Sequence, residues 1–441
     1  MVEVLYAYMN GRFVGELRRE SDGELSFIYE DSWLEATEVH RSLSLSIRLQ
    51  NKEHRGESVR NFFVNLLPDN PNVVAAIANR LELRSTDVFD VLRAVGGDCV
   101  GALELLPKQR SLSFAERYSY CVLSDSEIEE LLGQLNVLPL GMSEREDFRL
   151  SIAGAQQKTA LTKLPGVGWV LPSGTLPTTH IFKTPIGSLL ANSIHFDESC
   201  ENEWLCLEIA RAFGLSAANA EILTFGCRKA IVVARFDRAV SRRQNNHILR
   251  IPTEDFCQVM GLPPEKKYEA DGGPGIKDIM DVLKWSADAD GDRRRFMAAQ
   301  VLLWLLDSTD GHAKNYSVFL EAKDQFRLTP LYDILSAAPL AAAGELSSRR
   351  LKLAMGLTGK NRHYRTADIE PRHFLSTAAA ADYPQAQMLA VMEHFARFTP
   401  EVIAKVRAKL PSGFPETTSA PIFEVLQKRA AKIAAFLQTR S

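Results

Sequence analysis

Ser308-Thr309-Asp310-Gly311-His312-Ala313-Lys314-Asn315, with Tyr332-Asp333 after it, is the stretch on which the reading of this chain turns. Just upstream lies Phe296-Met297-Ala298-Ala299-Gln300-Val301-Leu302-Leu303-Trp304-Leu305-Leu306, apolar on all sides and so expected as a buried helix. That helix ends by delivering an Asp, a Gly and an Asn into a short polar loop. Strand patterns follow at Tyr316–Leu320 and near Phe326–Leu328, ending at Asp333. Two carboxylates and an amide at the ends of rigid elements suit an oxygen-ligated Mg²⁺ and an alcohol nucleophile. Asp-x4-Asn, then an Asp about eighteen residues on, is the spacing of base, metal amide and metal carboxylate in protein kinases. A helix end, an Asp-Gly turn and a plain hairpin would read equally well from this segment alone.

Composition sets the bounds. With 441 residues, 46% hydrophobic and 24% charged, the chain can fill two or three domain cores. A net charge of −3 argues against general nucleic-acid or anionic-membrane binding by the whole chain. Cys99, Cys121, Cys200, Cys206, Cys227 and Cys257 form no CxxC pair and read as reduced thiols. With no signal-like start and no apolar run of transmembrane length, the expected location is cytoplasmic and no membrane partner is expected.

From the N-terminus, Asn10-Gly11 between strand-like runs predicts a hairpin, and Asp22-Gly23 a second turn before Leu25–Tyr29. Alternation at Leu43, Leu45, Ile47 and Leu49 predicts a half-buried strand. Helices are expected over 59–67 and 72–81. Gly96-Gly97-Asp98-Cys99-Val100-Gly101 lacks phosphate-loop spacing and reads as a turn into the strand 102–106. Ser124 with Glu127 is a capping-box pattern opening a helix over 125–135.

Small residues at 151 and 153–155 let backbone N–H groups approach phosphate oxygens, and a strand, turn and returning strand follow over 159–171. Thr179–Lys183 is a short strand ending on lysine. The helical stretch 197–213 carries Glu201 and Glu203. A lysine on a strand and a glutamate on a helix orient the ATP phosphates in kinases. The apolar strand from Ala230 breaks at Ala234-Arg235-Phe236, where a kinase has its adenine-binding hinge. Six individually ambiguous pieces therefore stand in kinase order.

The sequence also resembles the HipA toxins, serine/threonine kinases of bacterial type II toxin–antitoxin modules. The resemblance is densest in Asn61–Asp69, Ala153–Lys158, Asp271–Ile276, Thr309–Asn315 and Leu351–Gly356. It implies an α+β, two-lobed protein-kinase-like fold with a mixed N-lobe, an all-α C-lobe and an N-terminal α/β module. The expected division is 1–107 for that module, 108–140 for a connector, 141–250 for the N-lobe and 251–441 for the mostly helical C-lobe. It also implies ATP and Mg²⁺ as cofactors, Asp310 as base, and Asn315 and Asp333 as metal ligands. The nucleotide is expected at Ile152, Ala153, Gly154, Ala155, Gln156, Lys158, Lys183, Ala234, Phe236 and His312. Ala234 stands where the family's Glu-Arg-Phe-Asp motif has glutamate, so any side-chain role there is lost. Ser151 aligns with the family's autophosphorylation site. Its phosphate, roughly −1.5 to −2 in charge, would repel those of ATP and expel the loop.

Implied partners are a dimeric HipB-like helix-turn-helix antitoxin, operator DNA through that complex, and a translation target, glutamyl-tRNA synthetase foremost. A catalytically weak corepressor scaffold and a small-molecule phosphotransferase are the alternatives. Three further motifs are read as structural. Asp288–Asp292 lacks the glutamate of a calcium loop and should cap a helix. Asp271–Gly275 should be a fold-specific turn, and Arg293-Arg294-Arg295 a solvated face. The chain after Asp333 is expected to be helical, with helices over 374–381, 384–398, 400–410 and 420–438. The basic segment 340–366 (Arg349, Arg350, Lys352, Lys360, Arg362, Arg365) suits either a partner contact or a solvated loop.

Overall fold

Asn10 and Gly11 take positive φ, 48° and 78°, the backbone a two-residue hairpin demands. They join Glu3–Met9 to Arg12–Arg19 with Met9 opposite Arg12. Leu25–Tyr29, Glu53–Arg55 and Leu103–Leu106 complete a five-stranded antiparallel sheet. Helices Glu57–Val64, Pro71–Arg80 and Val88–Val95 belong to the same region. The computed structural model describes residues 2–36, 41–49, 52–109, 118–135, 156–174, 176–189, 194–241 and 247–440. Its backbone divides into two units, one of residues 1–184, 223–265 and 317–326, the other of 185–222, 266–316 and 327–441.

In the first unit, five strands of a six-stranded sheet run in order through Arg228–Ala234, His180–Lys183, Lys158–Leu164, Gly168–Gly174 and the edge strand Tyr118–Val122. One apolar core serves both sheets. Leu5, Phe27, Phe63 and Phe89 pack in the same cluster as Ile128, Leu161, Phe182 and Val232. Ser124 caps the helix Asp125–Gln134 in a capping box with Glu127, as its spacing predicts.

Leu43 to Leu49 do not form the expected strand. The segment is a turn with one isolated bridge, Ser44 to Ile47. The alternation misleads because its polar Ser44 is wholly buried while its apolar Leu45 is only half-buried. Ser42 N and Oγ donate to Asp324 at 2.7 and 2.8 Å, while Ser44 Oγ and Leu45 N donate to Glu254 at 2.5 and 2.8 Å. Buried polar groups that find partners remove the solvent-facing half of the pattern.

Glu254 is fully enclosed, and burial pushes its carboxyl up to about 8, against the opposing donors Leu45 N and Ser44 Oγ. A carboxyl whose folded value lies above its unfolded 4.5 takes up a proton on folding. Its contribution to stability is therefore fullest below about 4.5 and declines as pH climbs to about 8. Glu254→Gln mimics the protonated form, so urea unfolding at pH 5 and pH 8 should show a smaller alkaline loss in the variant than in the wild type. An equal loss in both would show that Glu254 is ionised in the fold.

The second unit is built on helices Ser199–Ala212, Ile276–Leu283, Ala289–Leu305, Pro371–Ala380, Gln385–Arg407 and Glu416–Gln438. Trp304 lies at its centre, almost wholly buried, with Nε1 donating to Thr366 O at 3.0 Å. The two helices expected over 384–398 and 400–410 are one. The helix Gln385–Arg407 continues through Pro400, losing one N–H, because Met392, Phe395 and Val402 keep one face packed on the helices Ala289–Leu305 and Glu416–Gln438. The basic segment is partly strand, with Lys352–Thr358 paired to Arg362–Arg365, so a hairpin accompanies the helices. Among the described residues no helix is long and apolar enough to cross a membrane.

Candidate functional site

The buried helix ends as the sequence predicts, by a device the sequence does not advertise. Past its last residue, Asp307 takes φ +51°, Asp307 N donates to Trp304 O at 3.2 Å and Ser308 N to Leu303 O at 2.9 Å. This is a Schellman ending, with aspartate in the left-handed position that glycine usually fills. Asp307 is held there by Arg429 and by Ala337 N, which donates to its carbonyl at 3.0 Å.

The chain then enters the candidate loop. His312 N donates to Asp310 O at 2.8 Å, Asn315 N to His312 O at 2.9 Å, and Asn315 Nδ2 to Asp310 O at 2.6 Å. Asp310 thus has its backbone clamped while its carboxylate is 55% exposed. His312 is buried, with Nε2 3.9 Å from Asp310 Oδ1. Tyr268 Oη donates to that same Oδ1, and the Tyr268 ring meets the His312 ring edge-on at 4.9 Å. Tyr268 was not foreseen, because forty-two positions separate it from Asp310.

Asp333 takes φ +56°, an unusual backbone for a residue with a side chain. Its neighbour Tyr332 donates from Oη to Lys314 O at 2.7 Å, which ties the two candidate segments together. Three residues on, fully buried Asn202 grips Ser336 in both directions: Asn202 Nδ2 donates to Ser336 O (2.9 Å) and Ser336 N to Asn202 Oδ1 (2.7 Å). Ser336 Oγ in turn donates to Leu306 O at 2.5 Å, so the helix end and the Asp333 segment share one frame. Asn202 too escaped the sequence reading, since a polar residue inside a helix gives no sign of a partner far along the chain.

The first unit carries the other expected residues. Lys158 and Lys183 are both buried and stand directly opposite one another on adjacent strands, so their side chains share a face. Gln156 Nε2 donates to Thr184 O at 2.9 Å. Ala234 pairs with His180, Arg235 N is committed to Thr179 O at 2.9 Å, and the half-buried Phe236 packs edge-on against Phe319 at 5.8 Å. Ser151 and Ile152 to Ala155 lie outside the described residues. Glu201 and Glu203 are both buried on their helix. Each set is thus assembled inside its own unit: Asp310, His312, Asn315 and Asp333 in one, Gln156, Lys158, Lys183, Ala234 and Phe236 in the other.

Comparison with known proteins fits this inventory. Residues 5–106 match the HipA N-terminal domain and residues 150–403 the HipA-like C-terminal domain. The chain is 33% identical over 339 residues to the protein named "Putative kinase Y4mE" from Sinorhizobium fredii, covering 76% of this chain and 77% of that one. It is 28% identical over 368 residues to the serine/threonine-protein kinase toxin HipA of Shewanella oneidensis, covering 79% and 77%. In three dimensions it is similar to a chain of the Shewanella oneidensis MR-1 toxin–antitoxin complex of HipA, HipB and operator DNA. There the TM-score is 0.81 at 23% identity, over 99% of this chain and 98% of that one, which gives the α+β kinase-like fold. By the match over residues 150–403, together with the relative at 33% identity, the chain belongs to the HipA family.

Proposed function

We propose that this chain is an ATP- and Mg²⁺-dependent serine/threonine protein kinase acting as the toxin of a type II toxin–antitoxin pair. The observation that carries the reading is the Asp310 loop, where a clamped backbone presents an exposed carboxylate beside an amide and a second carboxylate on a shared frame. Asp310 accepts the proton of the substrate hydroxyl. The donor chemistry fits Mg²⁺, since the Asn315 amide oxygen and the Asp333 carboxylate are hard oxygen ligands. Asn315 already spends its amide N–H on Asp310, so its oxygen is the atom suited to a cation. When bound, Mg²⁺ neutralises phosphate charge. Lys158 and Lys183 hold the ATP phosphates, with the 152–156 segment as phosphate loop, His312 close to the nucleotide, and Ala234 and Phe236 at adenine.

The named relatives support a HipB-like antitoxin and operator DNA as partners, with this chain as corepressor in that complex. The proposed target is a translation factor, glutamyl-tRNA synthetase first, phosphorylated to arrest growth, and Ser151 is the proposed autophosphorylation site. The division 1–107, 108–140, 141–250 and 251–441 is proposed as the functional one.

The test is intact mass and phosphosite mapping after incubation with Mg·ATP, with a chelator arm. Phosphate on Ser151 that depends on Mg²⁺ is expected. Protein that starts unmodified, binds ATP and gains none would move the assignment to a corepressor scaffold. Transfer to small alcohols in place of protein in a lysate would make the chain a small-molecule phosphotransferase.

A further inference from the structure

We infer that Tyr268 is a positioning residue for Asp310, and that the turn through Gly275 is built to hold it in place. The inference rests on the kinase reading above. The Asp271–Gly275 turn has no part in that reading, yet it forms one continuous clamp with the Asp310 loop. Lys267 O accepts from Ala313 N at 3.1 Å, which fixes the turn to the loop's far side. Tyr268 O accepts from Asp271 N at 3.1 Å and from Gly273 N at 3.0 Å. A Cβ on Gly273 would stand 2.0 Å from Lys266 O and 2.8 Å from Tyr268 O, so only glycine permits the closure. Glu269 anchors the other side, accepting from Gly356 N at 2.6 Å and pairing with Arg362. Gly275 then opens the helix Ile276–Leu283, its N–H capped by Asp278 at 2.9 Å.

Tyr268 is therefore a fixed post, and a fixed post suits positioning better than gating. An aspartate carboxylate 55% exposed has several rotamers open to it, and ordering one costs conformational entropy. The Tyr268 hydroxyl selects one rotamer by donating to Oδ1, and the His312 ring fixes the angle of the phenol. With Oδ1 engaged, Oδ2 is the oxygen presented to an acceptor hydroxyl. Tyr268 touches neither substrate nor nucleotide in this role. It acts through Asp310.

Tyr268→Phe keeps the ring against His312 and removes only the hydroxyl. In single-turnover transfer from γ-labelled ATP to the chain itself, the maximal rate should fall about ten- to a hundredfold, the cost of a misplaced catalytic group. The half-saturating ATP concentration and the melting temperature should stay near wild type. A crystal structure of the variant should show the loop backbone in place and the Asp310 carboxylate moved or spread over several rotamers. An unchanged rate in the variant, or an Asp310 carboxylate still in its wild-type position, would overturn the inference. Wild-type protein that transfers no phosphate would instead sink the kinase reading, and the Asp310 rotamer in the variant would still decide whether Tyr268 positions it.

Discussion

Asp98→Asn should destabilise the first unit by about 3–5 kcal/mol, the cost of leaving a buried charge without its partner. Asp98 lies in the Gly96–Gly101 turn, and around it three arginines converge from residues 235–250. Arg238 Nη2 lies 2.9 Å and Arg250 Nη2 3.2 Å from Asp98 Oδ1, and Arg235 Nη1 lies 3.5 Å from Oδ2. Thr178 Oγ1 adds a donor at 2.6 Å. Asp237 accepts a two-point pair from Arg235 at 3.0 and 2.8 Å, and Gly101 N at 2.7 Å. Every one of these side chains is buried.

Burial alone would raise the Asp98 carboxyl, but Arg238, Arg235 and Arg250 outweigh it and hold it below the usual range. Burial, followed by the like charge of Arg235, brings Arg238 down to about 10, so it is still charged at neutral pH. Removing the Asp98 charge leaves an excess of buried positive charge. The depressed Asp98 value means this stabilisation is present at neutral pH and is lost as pH falls through the acid range. Urea unfolding of Asp98→Asn beside Asp98→Asn/Arg250→Met tests the assignment. The second change should restore part of the loss, and a single-variant loss below about 1 kcal/mol would mean the cluster is not a closed buried network. The same variant should weaken ATP binding, since Arg235 links the network to the expected adenine position. Arg235 and Asp237 thus have a structural duty that needs nothing from the side chain of Ala234.

The sequence disclosed what depends on short separations. Asn10-Gly11, the Ser124–Glu127 box, the all-round apolar helix before Asp310 and the loop itself are governed by neighbours within a few positions, and each stands where its pattern puts it. It concealed what depends on distant pairing. Ser42 and Ser44 look solvent-facing until Asp324 and Glu254 are beside them. Tyr268, Asn202 and Asp98 find partners 42, 134 and 80 or more positions away, and no local pattern encodes such a meeting. The ending at Asp307 was hidden for another reason. Aspartate occupies the left-handed position there, so the glycine that normally marks such an end is missing.

Asp310→Asn should reduce phosphate transfer by about 10²–10⁴-fold, the range contributed by a general base. The structure makes this substitution unusually clean. The carboxylate is 55% exposed, so its charge is solvated and its loss costs the fold little. Asparagine keeps an oxygen to accept from Tyr268, and the bond from Asn315 goes to the main chain of residue 310, which the change does not touch. Melting temperature and ATP affinity should therefore match wild type while transfer collapses. Measured by γ-labelled ATP transfer beside calorimetric ATP binding, that combination separates a kinase from a scaffold, because a scaffold would bind without any difference in turnover to lose. Transfer at the wild-type rate in Asp310→Asn would instead place the base elsewhere in the chain. The exposure that makes Asp310 easy to replace is the same property that would let a substrate as large as a protein reach it. A buried base would have pointed to a small acceptor.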